Sequence, residues 1–368
     1  MKNAADRLLA RAAQQQLPSH DRKKLRKNRP QAAEADETVC PTIGSKRLAL
    51  VAQALSPAVF DFFTASKRVV HFGVCVLWLC CLPAAAQSPY YQMVSPGHLK
   101  NLQQAGLTAA ETQYFFNTPK TIFNMGSNGK GLTSEQIAST HSLYPHAGMN
   151  YNFNSFGPNT LTGAPGIQAI FAPSSTLIPQ GLNSVSYDPE GPHNGTPANE
   201  TAALEAGDTS FIRQAAVLVH AHGLKFFLIG SVDAGMKPEE KKFPQKYKTW
   251  LAQHRGAWAG IPGVDLYSIQ SQQAEGTPTF APFVAAAVAQ AKAAAPKTPI
   301  DIGIGINPHY PPTVITAAII REGYDHGVSA GAAGFWHNVE HDVNANVPLT
   351  VYVEFFHKLY RDETGKAP

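Results

Sequence analysis

Two carboxylates lie two residues apart in the segment Ser186-Tyr187-Asp188-Pro189-Glu190-Gly191. On an extended backbone, side chains two positions apart project to the same side, so Asp188 and Glu190 are expected to face each other. Two carboxylates held together cannot both ionise easily, and the pKa of one of them should rise. A carboxyl group that keeps its proton near neutral pH is what a general acid requires. The alternative is a turn in which Asp188 caps the Pro-Glu-Gly bend.

Amide, aromatic and further polar side chains follow other predicted strands. In a parallel barrel the carboxyl ends of the strands form the active-site face. Amides match sugar hydroxyls, and aromatic rings match sugar faces. We therefore expect Asp188 and Glu190 to be catalytic and the following residues to bind substrate: Tyr187, Asn124, Gln270, Gln272, Asn307, Trp336 and Asn338. For any single amide, a loop hydrogen bond remains the alternative.

A second group of residues suggests metal chemistry instead. His337-Asn338-Val339-Glu340-His341 reads as H-x-x-E-H, which binds zinc when a helix places both histidines on one face. Here the motif follows a strand-like Gly-Phe-Trp, so we predict no metal site. With His309 and Asp342, these residues leave a metal-dependent hydrolase open as a third function. The chain has no P-loop, which argues against a phosphate-binding loop, and we expect no serine hydrolase of the α/β type.

Eight short apolar runs predict the strands that position these residues. Most are continuous rather than alternating, which is typical of strands buried on both faces of a parallel sheet. The predicted strands are Thr121–Gly126, Met149–Ser155, Gly166–Ala172, Asn183–Asp188, Lys225–Ser231, Asp265–Ser271, Ile300–Asn307 and Gly334–Asn338. With helices between several of them, the pattern predicts an α/β fold: a single (βα)8 TIM-barrel-like domain, regular, distorted or seven-stranded. An open doubly wound sheet is the alternative.

Helical segments separate many of these strands, and two more precede the first. The predicted helices are Thr133–Tyr144, Asp208–His222, Phe280–Ala295, Thr313–Tyr324 and Pro348–Tyr360. Residues 87–120 are predicted to form N-terminal helices (Pro96–Ala105 and Thr108–Thr118) ahead of a barrel at 121–368. We expect Tyr90 and Tyr91 to be poorly ordered. The charged stretch 237–250 is expected to be a solvated loop and helix.

The charge of the chain is concentrated at its front. Residues 1–86 carry 13 Lys and Arg against 6 Asp and Glu, whereas residues 87–368 carry 17 against 20. The larger part is therefore mildly acidic, and we expect no nucleic-acid partner. Its composition is that of a globular protein. We expect no cofactor, and the sequence leaves the oligomeric state open.

The front of the chain has the features of a targeting segment. Lys67 and Arg68 precede the 14-residue apolar run Val69–Leu82, and Ala84-Ala85-Ala86 follows as a small-residue cleavage site. We predict a signal peptide at 67–86, cleavage after Ala86 and a secreted or periplasmic product without membrane attachment. An uncleaved anchor is the alternative, although a membrane span needs about 20 residues. Residues 1–66 are interpreted as a disordered extension or a mispredicted start.

All four cysteines, Cys40, Cys75, Cys80 and Cys81, precede the predicted cleavage site. The mature protein would therefore have no disulfide, thiol nucleophile or thiolate metal site.

The segment around Asp188 resembles the fourth-strand signature D-x-x-D-x-D-x-E of the family 18 chitinases. Its last two carboxylates match Asp188 and Glu190, whereas Asn183 and Ser186 stand at the first two positions. Trp336 on the eighth predicted strand resembles the tryptophan that floors the sugar site in that family. The resemblance implies that Glu190 is the general acid. It also implies that Asp188 orients the substrate N-acetyl group in a substrate-assisted mechanism.

These observations predict an exported glycoside-hydrolase-like protein that cleaves or binds a glycan through a carboxylate pair. Without the resemblance, Glu190 could pair with a second acid such as Glu275 or Glu340 in a two-carboxylate glycosidase. A non-catalytic glycan-binding barrel is the main alternative, because the acidic signature is incomplete.

Overall fold

The computed structural model describes residues 87–127, 133–159, 162–172, 181–192, 195–305, 314–339 and 348–368. Within them, eight strands form a closed barrel in chain order. The strands are β1 (Tyr91–Val94), β2 (Thr121–Ser127), β3 (Gly148–Phe153), β4 (Ser184–Tyr187), β5 (Lys225–Gly230), β6 (Leu266–Ile269), β7 (Ile300–Gly305) and β8 (Gly334–Asn338). The predicted eight-stranded, TIM-barrel-like α/β domain is confirmed.

Every neighbouring pair of strands is parallel, including the pair that closes the ring. Tyr91 on β1 aligns with Gly334 on β8, and Gln92 aligns with Thr121 on β2. All eight carboxyl ends therefore meet at one face, where TIM-barrel active sites lie.

Helices connect the strands through the described part of the chain. They are α1 (Pro96–Gln104), α2 (Ala109–Phe116), α3 (Ser134–Leu143), α4 (Ile167–Ile170), α5 (Ala198–Glu205), α6 (Ser210–Ala221), α7 (Gln245–Ala252), α8 (Phe280–Ala294), α9 (Ala317–Ala330) and α10 (Thr350–Thr364). Local sequence sets several of their starts: Thr108 and Glu111 form a capping box on α2, as Thr133 and Gln136 do on α3. In the part of the chain that the structure describes, no helix is long and apolar enough to cross a membrane.

The two faces of the strands have different surroundings. On β3 and β4, Met149, Tyr151, Val185 and Tyr187 belong to the large hydrophobic core that the strands share with the helices. The residues between them are polar and buried: Asn150, Asn152, Ser184 and Ser186. A smaller apolar cluster of Met93, Ile122, Phe227 and Leu266, with Tyr91 and Trp336 packed against it, fills another part of the barrel interior. The interior next to β3 and β4 is therefore polar.

One strand prediction was wrong, and one strand was missed. The segment Gly166–Ala172 contains the short helix α4 instead of a strand. Tyr91, which was expected to be poorly ordered, begins β1, so residues 87–120 supply a barrel strand as well as helices α1 and α2. The two errors offset each other in the count, and the strand that leads to Asp188 is still the fourth.

Candidate functional site

Asp188 and Glu190 lie at the carboxyl end of β4. Alternation along this strand turns Ser184 and Ser186 away from the core that holds Val185 and Tyr187. Asp188 continues the polar side and is 3% exposed, whereas Glu190 is partly exposed. The pair therefore consists of one buried carboxyl group and one that reaches the surface at the face where the carboxyl ends of the strands meet.

Gln270, directly after β6, holds the two carboxylates together. Its Nε2 donates to Asp188 Oδ1 and Oδ2 at 3.1 and 3.2 Å and to Glu190 Oε1 at 3.2 Å. Directly after β3, Asn154 Nδ2 donates to Glu190 Oε2 at 3.3 Å. Three strand ends therefore converge on the carboxylate pair that the sequence predicts, and Gln270 is a member of the site.

The buried member of the pair keeps its proton more readily than a free aspartic acid. Burial raises the pKa of Asp188 well above its usual range, and the charge of Glu190 raises it further. A hydrogen bond from Asn152 lowers the pKa and offsets part of this effect. Burial and the neighbouring charge thus both favour the protonated form of Asp188.

Lys246 on α7 is a site residue that the sequence analysis missed. Its ammonium is buried, donates to Asp233 Oδ1 at 3.4 Å and contacts Gln273 Oε1. Burial lowers the pKa of Lys246, while the charges of Asp233 and Glu190 partly offset that effect. The stretch 237–250 is therefore only partly solvated, and it supplies a buried cation whose charge interacts with that of Glu190. The signal was available, because Lys246, Tyr247 and Trp250 all lie on the buried face of α7.

Thr196 fixes the backbone that carries Glu190, and sequence reasoning also missed it. Its Oγ1 accepts hydrogen bonds from the backbone N–H groups of Glu190 (2.9 Å) and Gly191 (3.1 Å). The same hydroxyl donates to the carbonyl of Asn154 at 2.8 Å. Gly191 has a φ of +117°, which favours glycine at this turn. The loop after β4 is thus tied to the end of β3.

Four other predicted binding residues lie within β2, within β8, at the end of β8 and just after β6. Gln272 is 4% exposed and lies over Gly303 of β7, with its Oε1 unpartnered within the described residues. Asn338 is buried at the end of β8, where it lies against Gly305. Trp336 is partly exposed and packs on the apolar cluster of the interior. Asn124 on β2 lines a separate cleft of about 750 Å³ between α1, β2 and α3.

Tyr187 does not belong to the carboxylate site, contrary to the sequence prediction. It is fully buried in the core outside the barrel, and its hydroxyl donates to Glu200 Oε2 at 2.6 Å. The reason is the two-residue period of β4, which sends Tyr187 and Asp188 to opposite faces.

The residues proposed for metal chemistry do not form a site within the described ranges. His337 is fully buried, hydrogen-bonds with Tyr352 Oη at 2.7 Å and contacts Gln92. It belongs to β8 rather than to a helix, and burial lowers its pKa to about 3. Among the residues the structure describes, no three His, Cys, Asp or Glu side chains are grouped to hold a metal ion. Asn307, His309, Glu340, His341 and Asp342 lie outside the described residues.

Glu275, considered as a second acid, is held at the end of β7. It is fully buried, and its Oε2 accepts a hydrogen bond from the backbone N–H of Gly305 at 2.7 Å. Burial raises the pKa of Glu275 well above its usual range.

Comparison with known proteins gives no family. No protein-family model matches the chain, and no curated protein sequence matches it. Solved structures do align with it, among them the carboxyl transferase domain of Rhizobium etli pyruvate carboxylase with pyruvate and biocytin. That match has 10% identity and a TM-score of 0.40, and covers 76% of this chain and 48% of the other. The chain thus spans about half the length of that structure.

Another aligned structure is a candidate α-L-fucosidase from Bacteroides thetaiotaomicron. It is 10% identical with a TM-score of 0.43, and the match covers 77% of this chain and 97% of the other. Similarities this weak carry no argument about activity. The assignment of the barrel fold depends on the observed strand order. The function of the protein has to be inferred from its own side chains.

Proposed function

We propose that this protein is a glycoside hydrolase in which Glu190 donates the proton to the leaving group and Asp188 is its buried partner. The observation that carries the proposal is the contact of both carboxylates with Gln270 Nε2, all within 3.2 Å. Asp188 is buried where its pKa is raised, and Glu190 reaches the surface. A proton held by the pair is thus presented to a substrate through Glu190.

The arrangement of the two carboxylates around Gln270 restricts the mechanism. Glycosidases that use two opposed carboxylates keep them about 5–9.5 Å apart, with the sugar between them. Asp188 and Glu190 both accept a hydrogen bond from Gln270 Nε2, so this amide, and not a sugar ring, lies between them. The two carboxylates therefore act together on one side of the glycosidic bond that is cleaved. The attack on the anomeric carbon then comes from the substrate, as the resemblance to family 18 chitinases implies for a 2-acetamido sugar.

The surrounding side chains suit a sugar ligand. Trp336 is partly exposed and supported from the interior by Met93 and Ile122, so one face of its ring can stack on a sugar. Asn154 can exchange its contact with Glu190 for one with a sugar hydroxyl. We propose a polysaccharide or glycan substrate such as chitin or peptidoglycan.

One observation favours a glycan-binding barrel without turnover as the second candidate. The charges of Lys246 and Glu190 attract each other, and the charge of Glu190 raises the pKa of Lys246. An ionised Glu190 accepts hydrogen bonds from sugar hydroxyls but has no proton to give. The two candidates differ in whether Asp188 returns the proton to Glu190 when substrate binds.

The test is a screen of the purified protein against chromogenic N-acetylglucosaminides, chitin oligomers and peptidoglycan fragments. We expect turnover that survives a chelator and falls by about 10²–10⁴-fold in Glu190→Gln, because one general acid contributes about that factor. Glu322→Gln is the matched control, since this glutamate is exposed on α9.

Each outcome separates the candidates. Saturable glycan binding without turnover in wild type and Glu190→Gln would establish the binding barrel. Loss of wild-type turnover on chelation would move the site away from Asp188 and Glu190. Turnover unchanged in Glu190→Gln would overturn the assignment of the proton donor.

A further inference from the structure

A chain of hydrogen bonds runs through the barrel interior and ends at Asp188. The Ser184 hydroxyl donates to Asn150 Oδ1 at 3.0 Å, and Asn150 Nδ2 donates to Ser186 Oγ at 2.9 Å. The Ser186 hydroxyl then donates to Asn152 Oδ1 at 2.8 Å. Asn152 forms the last bond, to the carboxyl group of Asp188. This chain of hydrogen bonds alternates between β3 and β4 and runs toward the carboxyl ends of both strands.

All four hydrogen bonds point in the same direction. An amide oxygen can only accept a hydrogen bond and an amide nitrogen can only donate one. Each asparagine therefore accepts from the serine before it and donates to the next group. Ser186 accepts from Asn150 and donates to Asn152, which commits its single proton upward. Hydrogen bonds aligned in this way polarise one another. The donor that reaches Asp188 is therefore stronger and better fixed than an isolated asparagine would supply.

The members of the chain are well shielded from water. Asn150 and Ser186 are fully buried, Ser184 is 1% exposed and Asn152 is 8% exposed. Four polar side chains in a barrel interior are expensive unless they are satisfied, and here they satisfy one another. A purely structural filling of this volume could use apolar side chains, as the neighbouring cluster of Met93 and Phe227 does.

We propose that Ser186 is a positioning residue that, through Asn152, fixes the carboxyl group of Asp188 and sets how firmly this group holds its proton. The proposal rests on the proposed function, in which Asp188 and Glu190 share a proton. Three charged or titratable groups interact with one carboxylate or the other: Glu190 raises the pKa of Asp188, the charge of Lys246 on α7 interacts with that of Glu190, and the charge of Asp188 raises the pKa of Tyr187. The chain of hydrogen bonds reaches Asp188 from β3. Glu190, Lys246 and Tyr187 lie on other elements.

The test is the titration of the Asp188 carboxyl group by carbon-13 NMR, assigned with Asp188→Asn. Ser186→Ala removes the middle of the chain, and Asn152 loses the donor that orients it. We expect the midpoint of Asp188 to move upward by about half to one pH unit, since one hydrogen bond is worth about 1 kcal/mol and one pKa unit about 1.4 kcal/mol. Ser186→Thr keeps a hydroxyl and should restore the midpoint.

Two more variants keep the test decisive. Ser155→Ala is the matched control, because Ser155 is also fully buried but its hydroxyl has no partner within the described residues. Ser184→Ala, one asparagine lower in the chain, should shift the midpoint in the same direction by a smaller amount. If Ser186→Ala fails to fold, the midpoint of Asp188 in Ser184→Ala still tests the proposal.

The outcomes distinguish this proposal from the proposed function. An unchanged midpoint in folded Ser186→Ala, or the same shift in Ser155→Ala, would overturn the role of the chain. Where wild type turns over glycan, the pH profile of kcat should shift with the midpoint. Absence of turnover in wild type would reject the hydrolase and leave the NMR result intact as evidence about the chain.

Discussion

At the scale of single residues, Asp301 shows how burial raises the pKa of a carboxyl group that has little hydrogen bonding to offset it. It belongs to β7 and is 1% exposed, and within the described residues neither of its oxygens has a hydrogen bond of normal geometry. Burial raises its pKa to about 7, although Ser268, its register partner on β6, offsets part of the rise. Asp301 therefore folds with a proton that the unfolded chain releases at lower pH.

The wild-type protein should lose stability as the pH rises through the acidic range, and we predict that Asp301→Asn does not show this loss. Between about pH 4 and pH 7 the folded protein holds the Asp301 proton and the unfolded protein does not, so the free energy of unfolding falls as pH rises. The slope is at most about 1.4 kcal/mol per pH unit. Urea unfolding of both proteins at pH 4.5, 6 and 8 measures it, and the difference should grow in favour of the variant up to about pH 7. Parallel curves for the two proteins would contradict the prediction.

The candidate site could be predicted from the sequence where position along a strand decides it. Asp188, Glu190 and Gln270 follow strand ends, and the structure brings them together. Tyr187 was misplaced, because a residue next to a site residue on a strand faces the other way. Lys246 was missed because a stretch rich in lysine and glutamate resembles a solvated surface. The cost of burying its charge is offset by Asp233, which is distant in sequence.

At the scale of elements, α5 anchors the end of β3 to the outer side of β4. Glu200 on α5 accepts hydrogen bonds from the backbone N–H groups of Phe156 (2.9 Å) and Gly157 (2.8 Å), and from the Tyr187 hydroxyl (2.6 Å). One buried carboxylate thus satisfies two donors in the loop after β3 and one on β4, close in sequence to Asn154 and Asp188. Its contribution is to hold the backbone beside the site.

We predict that Glu200→Gln lowers the free energy of unfolding by about 1–3 kcal/mol. The amide keeps one acceptor oxygen and places an N–H group against donors that need an acceptor. Chemical denaturation measures the change. Glu205→Gln on the same helix is the control, because Glu205 is exposed, and it should stay within about 0.5 kcal/mol of wild type. Equal effects of the two substitutions would show that the contacts of Glu200 do not stabilise the fold.

The elements were predictable where long apolar or Ala-rich runs decide them, as for β5 and α8. Elements formed by short apolar runs could not be predicted in this way. The apolar run around Ile167 and Ile170 fits a strand or a buried helix turn equally well, and its packing against the core decides for the helix. Strand β1 has only four residues, and its pairing with β2 and β8, which lie 30 and 243 positions along the chain, makes it a strand. Contacts at such distances leave no local pattern.

At the scale of the whole molecule, the closed barrel constrains where the chain can be cut. The backbone N–H of Tyr91 donates to Ala333 at 2.9 Å, and that of Gln92 donates to Lys120 at 3.1 Å, so β1 closes the ring between β2 and β8. Removing β1 would expose two unpaired strand edges. A cut before Tyr91 leaves all eight strands in place. The proposed signal cleavage after Ala86 meets this condition.

We predict that a host competent for export releases a product whose first residue is Gln87. The apolar run Val69–Leu82 has 14 residues, fewer than the roughly 20 that a span needs, and small residues follow it. Amino-terminal sequencing and intact mass of the exported protein measure the cleavage site, and Ala84→Arg and Ala86→Arg should block it. A membrane-bound product that retains residues 67–86 would establish the anchor instead. In either case β1 must stay attached, because the face that carries Asp188 and Glu190 forms only when the ring of strands closes.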